Sequence, residues 1–399
     1  MSGEVRDLVV IGGGISGLGL AHMAARKGLR PLILEADQRV GGALCSHQHQ
    51  LSEGLFWTEL GAHTCYNSYG NLLQMLEDLD SLDTLRAKEK LSYRLLTVNG
   101  IKSIPSQLGF FELLTSVPKL FSLKKQGKTV ADYFSAIVGK GNYRRVVGPA
   151  LDAVICQDAS DFPAEALFRK KPRRKEVLRN YTSERGVEQF VQIIAEQEAL
   201  EIKLGTPVSA IAQNERGYLI TTPEGELQTR RVALAVAPDV VARLLAGVLP
   251  EMAELLNQIE MVDIESVAVV VAAKDCPVEP LAGIIAPNDR FFSSVSRDPL
   301  ADPHYRGFSF HFRPEGLSLE AKLTRIGEVL GVAQDDILSV EVRQNRLPAL
   351  RLGHDQIVAR LDGVLAGQAL AVTGNWFDGV SIEDSLIRSA AEAERICQA

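Results

Sequence analysis

Residues 7–46, DLVVIGGGISGLGLAHMAARKGLRPLILEADQRVGGALCS, constrain this chain more than any other stretch. DLVVI is a valine-rich apolar run, the pattern of a parallel strand buried on both faces. It enters Gly12-Gly13-Gly14-Ile15-Ser16-Gly17, a G-x-G-x-x-G turn, and the periodicity predicts a helix from about Ile15 to Lys27. Gly12 permits the tight turn, Gly14 lets backbone approach a pyrophosphate, and Gly17 lets the helix pack on the strand. The first helical N–H groups, from Ile15 and Ser16 onward, aim the positive end of the helix dipole at the phosphates. RPLILE supplies a second strand ending in Glu35, about twenty residues on, where a carboxylate accepts from ribose hydroxyls and repels a 2′-phosphate. Ala36 follows beside the same ribose. Strand, glycines, helix, strand and acid in this order specify a Rossmann-type dinucleotide site, and they fit NAD and FAD equally.

At 399 residues the chain exceeds one ordinary domain, and 46% apolar with 23% charged residues provides for a large core. A net charge of −7 argues against general nucleic-acid binding. Five scattered cysteines, none at zinc-ligand spacing, read as a reduced intracellular protein without a metal, and the expected location is cytoplasmic. MSGEVRD leads straight into a strand, so no signal peptide is expected. The apolar stretch VAVVVAA (267–273) falls far short of the roughly 20 residues a membrane helix needs. Membrane contact, if any, is expected to be peripheral.

RVGGALCS then discriminates between the cofactors. Arg39-x-Gly41-Gly42, followed by Ala43 and reaching Ser46, extends the pyrophosphate cradle and resembles the R-x-G-G-x-x-S/T motif of two-dinucleotide-binding-domain flavoproteins. The run through FWTELGAHTCYNSYGNLLQMLEDL resembles the flavin amine oxidase superfamily and, within it, the protoporphyrinogen-oxidase branch. The resemblance implies an α/β fold: an FAD-binding Rossmann-type domain joined to a second, α+β substrate domain. It implies FAD segments at 1–66, 202–250 and 350–399, with substrate segments at 67–201 and 251–349. Helical periods within 108–150 and strand patterns in IESVAVVVAA, LAGIIAP, RFFSSVS and GFSFHFR agree with a separate second body.

The same resemblance carries residues onto this sequence. A Glu-x-Gly segment passes under the isoalloxazine in that family, and ELGAHT (59–64) stands there; Gly61 and Ala62 would lie against the flavin, with His63 and Thr64 near its reactive face. His63 is also the candidate catalytic side chain, with an ordinary structural role equally open. Val208 matches the valine whose backbone holds adenine. Gly374 and Asn375, with the backbone of Val380, Ser381 and Ile382, match the contacts to the ribityl chain and the flavin O2 edge. Arg94 falls where the branch sets an arginine against a substrate propionate; a surface ion pair is the alternative. Ala43, residues 62–64 and Leu350 depart from the family pattern, which bears on the substrate more than on the cofactor. Trp376 and Phe377 stand where a tethering cysteine would be sought, so FAD is expected to be non-covalent.

No second glycine fingerprint follows a strand, so electrons are expected to leave to oxygen, a quinone or another acceptor rather than to NAD. The leading expectation is an FAD-dependent oxidoreductase that takes a hydride from a small organic substrate onto flavin N5, porphyrinogen-like or otherwise carboxylate-bearing. An amine oxidase or a desaturase is the second enzyme reading, a sugar-type mutase a weaker one. A non-catalytic flavoprotein that binds a partner remains from another class. FRKKPRRKEVLR (168–179) gathers seven basic residues that would suit anionic headgroups, an acidic partner or plain solvent. LGFFELLTSVPKLFSL (108–123) would rest on a membrane or cover the substrate cavity.

Overall fold

A computed structural model describes residues 5–116, 123–313 and 316–398. β1 (Arg6–Ile11), β2 (Pro31–Leu34), β10 (Glu201–Lys203), β13 (Gly225–Leu234) and β19 (Leu370–Val372) run parallel in one sheet. β12 (Gly217–Thr222) and β11 (Ala210–Asn214) extend it antiparallel, giving the order β10-β2-β1-β13-β12-β11 with β19 also on β13. Leu8, Val9 and Val10 and residues 32–34 are buried without alternation, as helices on both faces require.

On one face α1 (Ile15–Arg26), α2 (Gly70–Asp78), α7 (Glu188–Ala195) and α12 (Ile382–Gln398) share a core with Leu8 and Val10. α8 (Pro238–Leu245), α9 (Pro250–Leu256) and α11 (His354–Leu365) cover the other face with Val9 and Leu32. The expected boundaries need correction here. α2 and α7 lie within 67–201 yet pack on the first sheet, because Leu72, Leu73 and Leu76 and Phe190, Val191 and Ile194 form apolar stripes that this core covers. α9 likewise carries the first body past residue 250.

The second sheet has the order β18-β14-β17-β16-β15-β7-β8, from β18 (Ile337–Ala349), β14 (Glu260–Ala272), β17 (Tyr305–Phe312), β16 (Phe291–Ser296), β15 (Gly283–Ile285), β7 (Tyr93–Thr97) and β8 (Gly100–Ser103). Its strands alternate. Val267, Val269, Phe308, Phe310 and Phe312 face α10 (Leu319–Leu330) in a separate core, whereas the register puts Ser266, His311, Ser309 and Val295 on the opposite face. That face meets a hairpin of β3 (Ser46–Leu51) and β4 (Gly54–Glu59), with Phe56 packed on Val270 and Tyr305. The hairpin therefore joins the two bodies. β5 (Cys65–Tyr66), β9 (Asn180–Ser183) and β6 (Leu85–Ala87) form a small third sheet.

The segment expected to be helical breaks into α3 (Phe110–Ser116), α4 (Val130–Val138), the short α5 (Lys140–Asn142), a π-helical turn over 143–147 and α6 (Gly148–Ile155). Thr129 caps α4 by accepting from Asp132 N–H, and Gly139 ends it at φ +89°. Residues 117–122 of the apolar stretch lie outside the described residues. Among the described residues no helix is long and apolar enough to cross a membrane.

Candidate active site

β1 delivers the chain into Gly12, where φ is +106° and a Cβ would stand 2.6 Å from the Ala235 carbonyl oxygen. A Cβ on Gly17 would stand 2.0 Å from the Gly12 carbonyl oxygen, so this glycine seats α1 on the turn. Gly14 differs. It is the N-cap of α1, without a side-chain cap, and a Cβ built on it would find only Gly42 Cα, at 3.8 Å. Open space thus faces the first turn of α1, whose N–H groups at Ile15, Ser16 and Gly17 lack intrahelical acceptors. A pyrophosphate fits that arrangement.

The second glycine pair rests on the first, with Gly41 N–H donating to Gly13 O at 2.8 Å. Gly42 and Ala43 are exposed beside it. Glu35 closes β2 with its carboxylate accepting from Gly13 N–H (2.6 Å) and Asp37 N–H (2.8 Å). Each oxygen retains acceptor capacity for a ribose hydroxyl. Exposed Ala36 adjoins it, and Thr206 N–H donates to Glu35 O (2.8 Å), which brings half-buried Val208 alongside the same strand end.

Arg39 is engaged differently from the expected cofactor contact. Nη1 donates to Val40 O, Leu44 O and Glu188 Oε1 and Nη2 to Gly42 O, so the guanidinium shapes the 39–44 loop by holding its carbonyls. Arg343 on β18, which no sequence motif marked, also donates to Gly42 O (3.0 Å) and brings a second cation to the glycine pair.

Leu60 N–H donates to Cys45 O (2.8 Å) and Ala62 N–H to Ala43 O (3.1 Å), so residues 60–64 run along the cradle loop. A Cβ on Gly61 would stand 2.0 Å from Ala43 O. At the other terminus Thr373 N–H donates to Leu234 O (3.0 Å), which sets Gly374 and Asn375 at the carboxyl edge of the first sheet. Trp376 and Phe377 stack at 4.0 Å and are buried in the core below that edge, while His354 Nε2 donates to both their carbonyls. They pack the sheet rather than wall the site.

Val380 and Ser381 are half-buried before Ile382 opens α12. Ser381 N–H donates to Asp384 Oδ2 (3.3 Å) and Asp384 N–H to Ser381 Oγ (3.1 Å), a capping box. The Ser381 N–H expected at the flavin O2 edge is therefore engaged within the chain, and Ile382 and Glu383 hold the unpaired first-turn donors. Ser389 Oγ donates to Ser16 O (2.9 Å), fixing α12 against α1. From Ser389 back to Ile382, at 1.5 Å per residue, is about 10 Å.

The second sheet presents its polar face to this region. Asn345 Nδ2 donates both to Leu60 O and to Ser266 Oγ (3.0 Å each), and Ser266 Oγ lies 3.0 Å from His311 Nδ1. Lys88 donates to His63 O (2.9 Å) and to Thr64 Oγ1 (2.7 Å), and His63 Nδ1 lies 3.1 Å from that hydroxyl. Burial first, then the Lys88 charge, holds His63 down at about 3, and burial holds His311 at about 4. Both imidazoles are neutral near pH 7. Burial raises Glu59 to about 7 and lowers Lys88 and Arg297. Glu59, His63, Lys88, Arg297 and Thr182 border a cavity of about 20 Å³, room for about one water. Lys88, Arg297, His311 and Ser266 sit in charged-loop or strand patterns that carry no motif, so sequence reasoning missed them.

Arg94 requires correction. It pairs with Ile284, which pairs with Ser294 and through it with Phe310, so Arg94 lies on the α10 face. Its neighbour Tyr93 takes the opposite face, shared with Val295 and Ser309, with its ring over Gly283, where a Cβ would meet Tyr93 Cε1 at 2.5 Å. Tyr66 packs edge-on against Tyr69 (5.7 Å), and Cys156 ends α6 at φ +51°. Tyr66 is 46% and Tyr93 37% exposed, yet surrounding protein raises both phenols and lifts the Cys156 thiol to about 12. Tyr66, Tyr93 and Cys156 thus lie close to one another.

Three of the seven basic residues of the 168–179 segment form ion pairs within the chain, and Lys170, Arg173, Lys175 and Arg179 are exposed. Arg169 meets Asp378 (3.2 Å), Lys171 meets Asp384 (2.7 Å), and Arg174 meets Glu77 (2.9 Å) and Glu176 (2.7 Å). It straps the second body to the C-terminal flavin segment. Among the described residues no group of histidine, cysteine and carboxylate side chains could hold a metal.

Comparison with known proteins agrees with this geometry. Residues 10–79 match the NAD(P)-binding Rossmann-like domain and residues 123–319 the family described as flavin containing amine oxidoreductase. Pseudooxynicotine dehydrogenase of Pseudomonas sp. is 23% identical over 262 residues, covering 58% of this chain and 51% of that protein. Protoporphyrinogen oxidase 1 of Arabidopsis thaliana is 22% identical over 321 residues, covering 66% and 58%. The chain thus spans little more than half of these relatives. A crystal structure from Exiguobacterium sp., provisionally assigned as a protoporphyrinogen oxidase, superposes with a TM-score of 0.79 at 20% identity over 99% of both chains, a likeness of fold.

Proposed function

From the match of residues 123–319 to the flavin containing amine oxidoreductases and of residues 10–79 to the Rossmann-like domain, we propose that this chain binds FAD non-covalently and oxidises a small, largely apolar substrate by accepting a hydride at the flavin. Bound FAD supplies a two-electron acceptor at N5, and the protein supplies position and field. The observation that carries this reading is the open cradle at Gly14, with Glu35 behind it and residues 60–64 running along its second loop.

The side chains around residues 60–66 have separate tasks. Tyr66 and Tyr93 offer aromatic faces and hydroxyls to an uncharged substrate and exclude water. Neutral His63 and His311 are able to accept a proton without first losing one. Lys88 fixes the carbonyl and hydroxyl of the 63–64 turn, which holds that backbone in place. A porphyrinogen and an amine are the two substrate classes to test, and Arg94, on the α10 face, is not placed to hold a carboxylate on this side of the sheet. The Arabidopsis and Pseudomonas relatives, by their names, represent these two substrate classes.

The test is direct. Purified holoprotein, mixed anaerobically with a porphyrinogen or with cyclic and aliphatic amines, should show bleaching of the visible flavin band with one class. Reoxidation by oxygen or a quinone then identifies the acceptor. A flavin that no donor of either class reduces would sink the oxidoreductase reading and leave a protein in which FAD only supports the fold.

A further inference from the structure

We propose that Lys171 is the counter-ion of the α12 capping carboxylate and thereby sets the electrostatic field at the pyrimidine edge of bound flavin. Lys171 Nζ lies 2.7 Å from Asp384 Oδ1 and 3.1 Å from Ser381 Oγ. The lysine side chain is 12% exposed and the aspartate side chain 6%. Asp384 Oδ2 is already taken by the Ser381 hydroxyl and N–H. The cap therefore places a buried carboxylate within one turn of Val380–Ile382, the segment that the resemblance sets against the flavin O2 edge.

A carboxylate there is a liability for a flavin oxidoreductase. Reduced flavin gathers negative charge at N1 and C2=O, and the α12 N-terminus, set against that edge as the resemblance implies, would stabilise it. Asp384 uses the cap for itself, and Glu383, also buried, adds a second carboxylate whose oxygens accept from Asn71 N–H, Asn71 Nδ2 and Leu72 N–H. Lys171 is the cation that meets this turn directly. With it, the Asp384 pair is neutral; without it, one buried negative charge opposes the reduced cofactor in a poorly screened site. Arg169 and Asp378 flank the other side of the same turn but are 44% and 42% exposed, so solvent screens them. Lys171 is thus a positioning residue, acting through Asp384.

This inference rests on the FAD reading, and the experiment separates the two. The two-electron reduction potential of holoprotein is measured by equilibration with a reference dye, alongside FAD affinity. Lys171→Met should lower the potential by at least the roughly 30 mV that corresponds to a tenfold change in the reduction equilibrium. Lys171→Arg should restore most of it, Asp384→Asn should raise it, and Lys171→Met with Asp384→Asn should return near the parent value. Arg169→Met, which cuts the strap at the exposed pair, should leave the potential unchanged; a strap that acted only mechanically would make it behave like Lys171→Met. Should Lys171→Met fail to retain FAD, the sign of the Asp384→Asn shift decides. A parent-like potential in Lys171→Met, or a fall in Asp384→Asn, overturns the proposal. Parent protein that refuses FAD overturns the cofactor reading instead.

Discussion

Gly14→Ala separates a glycine kept for a cofactor from one kept for packing. The backbone at Gly14 is φ −75°, ψ 176°, which alanine adopts freely, and a Cβ there would stand 3.8 Å from its nearest neighbour, Gly42 Cα. Without cofactor the substitution should cost no more than about 1 kcal/mol, the ordinary penalty for alanine at an N-cap. With cofactor, the methyl occupies the space in front of the α1 N–H groups. Displacing a phosphate from two such donors forfeits about 1.5–3 kcal/mol each, so FAD affinity should fall by at least about 100-fold. Gly17→Ala is the contrast: its Cβ would stand 2.0 Å from the Gly12 carbonyl oxygen, backbone that cannot swing aside. It should destabilise the apoprotein itself by about 1–3 kcal/mol or more. Thermal unfolding of the apo forms and fluorescence titration of FAD measure the two quantities independently. Parent-like FAD affinity in Gly14→Ala, or matched apo destabilisation in both variants, would refute the assignment of that open space to the pyrophosphate.

Three further outcomes follow from the geometry. Arg94→Ala should leave the KM of a reducing substrate unchanged, because the side chain lies on the α10 face, while Tyr93→Ala should raise it several-fold; steady-state kinetics with any active substrate checks both. Glu59, whose folded value is raised to about 7 from 4.5, keeps its proton in the native state after the unfolded chain has released it. Its contribution is full below pH 4.5 and is lost as pH rises toward 7, a decline of up to about 3 kcal/mol, which Glu59→Gln should flatten in denaturant titrations. The buried histidines act with the opposite sign: His49, held at about 4 by burial, should withdraw stability as pH falls below 6.5, at up to about 1.4 kcal/mol per pH unit. His49→Gln should remove that share and no other, and an unchanged acid limb would contradict it.

Local chemistry made the first forty residues legible. Strand, turn glycines, helix start and Glu35 lie within one βαβ unit, so their spacing along the chain is nearly their spacing in space. The alternating strands of the second sheet were readable for a similar reason, since period two follows from the pleat itself. Sidedness was not readable. Whether Arg94 or Tyr93 faces away from α10, toward the β3–β4 hairpin, depends on which face of the sheet α10 covers, and a shift of one residue exchanges the two. The basic run 168–179 looked like free charge because its partners Glu77, Asp378 and Asp384 lie far away in sequence.

By itself, then, the sequence determined the nucleotide-binding unit, because glycine at Gly12 and Gly17 and a carboxylate at Glu35 satisfy short-range steric and hydrogen-bonding demands. Only the tertiary structure decided the surroundings of His63. Lys88, Arg297 and His311 belong to elements distant in sequence, and packing of the second sheet onto the β3–β4 hairpin is what brings them to His63. Burial there, rather than residue type, fixes which of them carry charge.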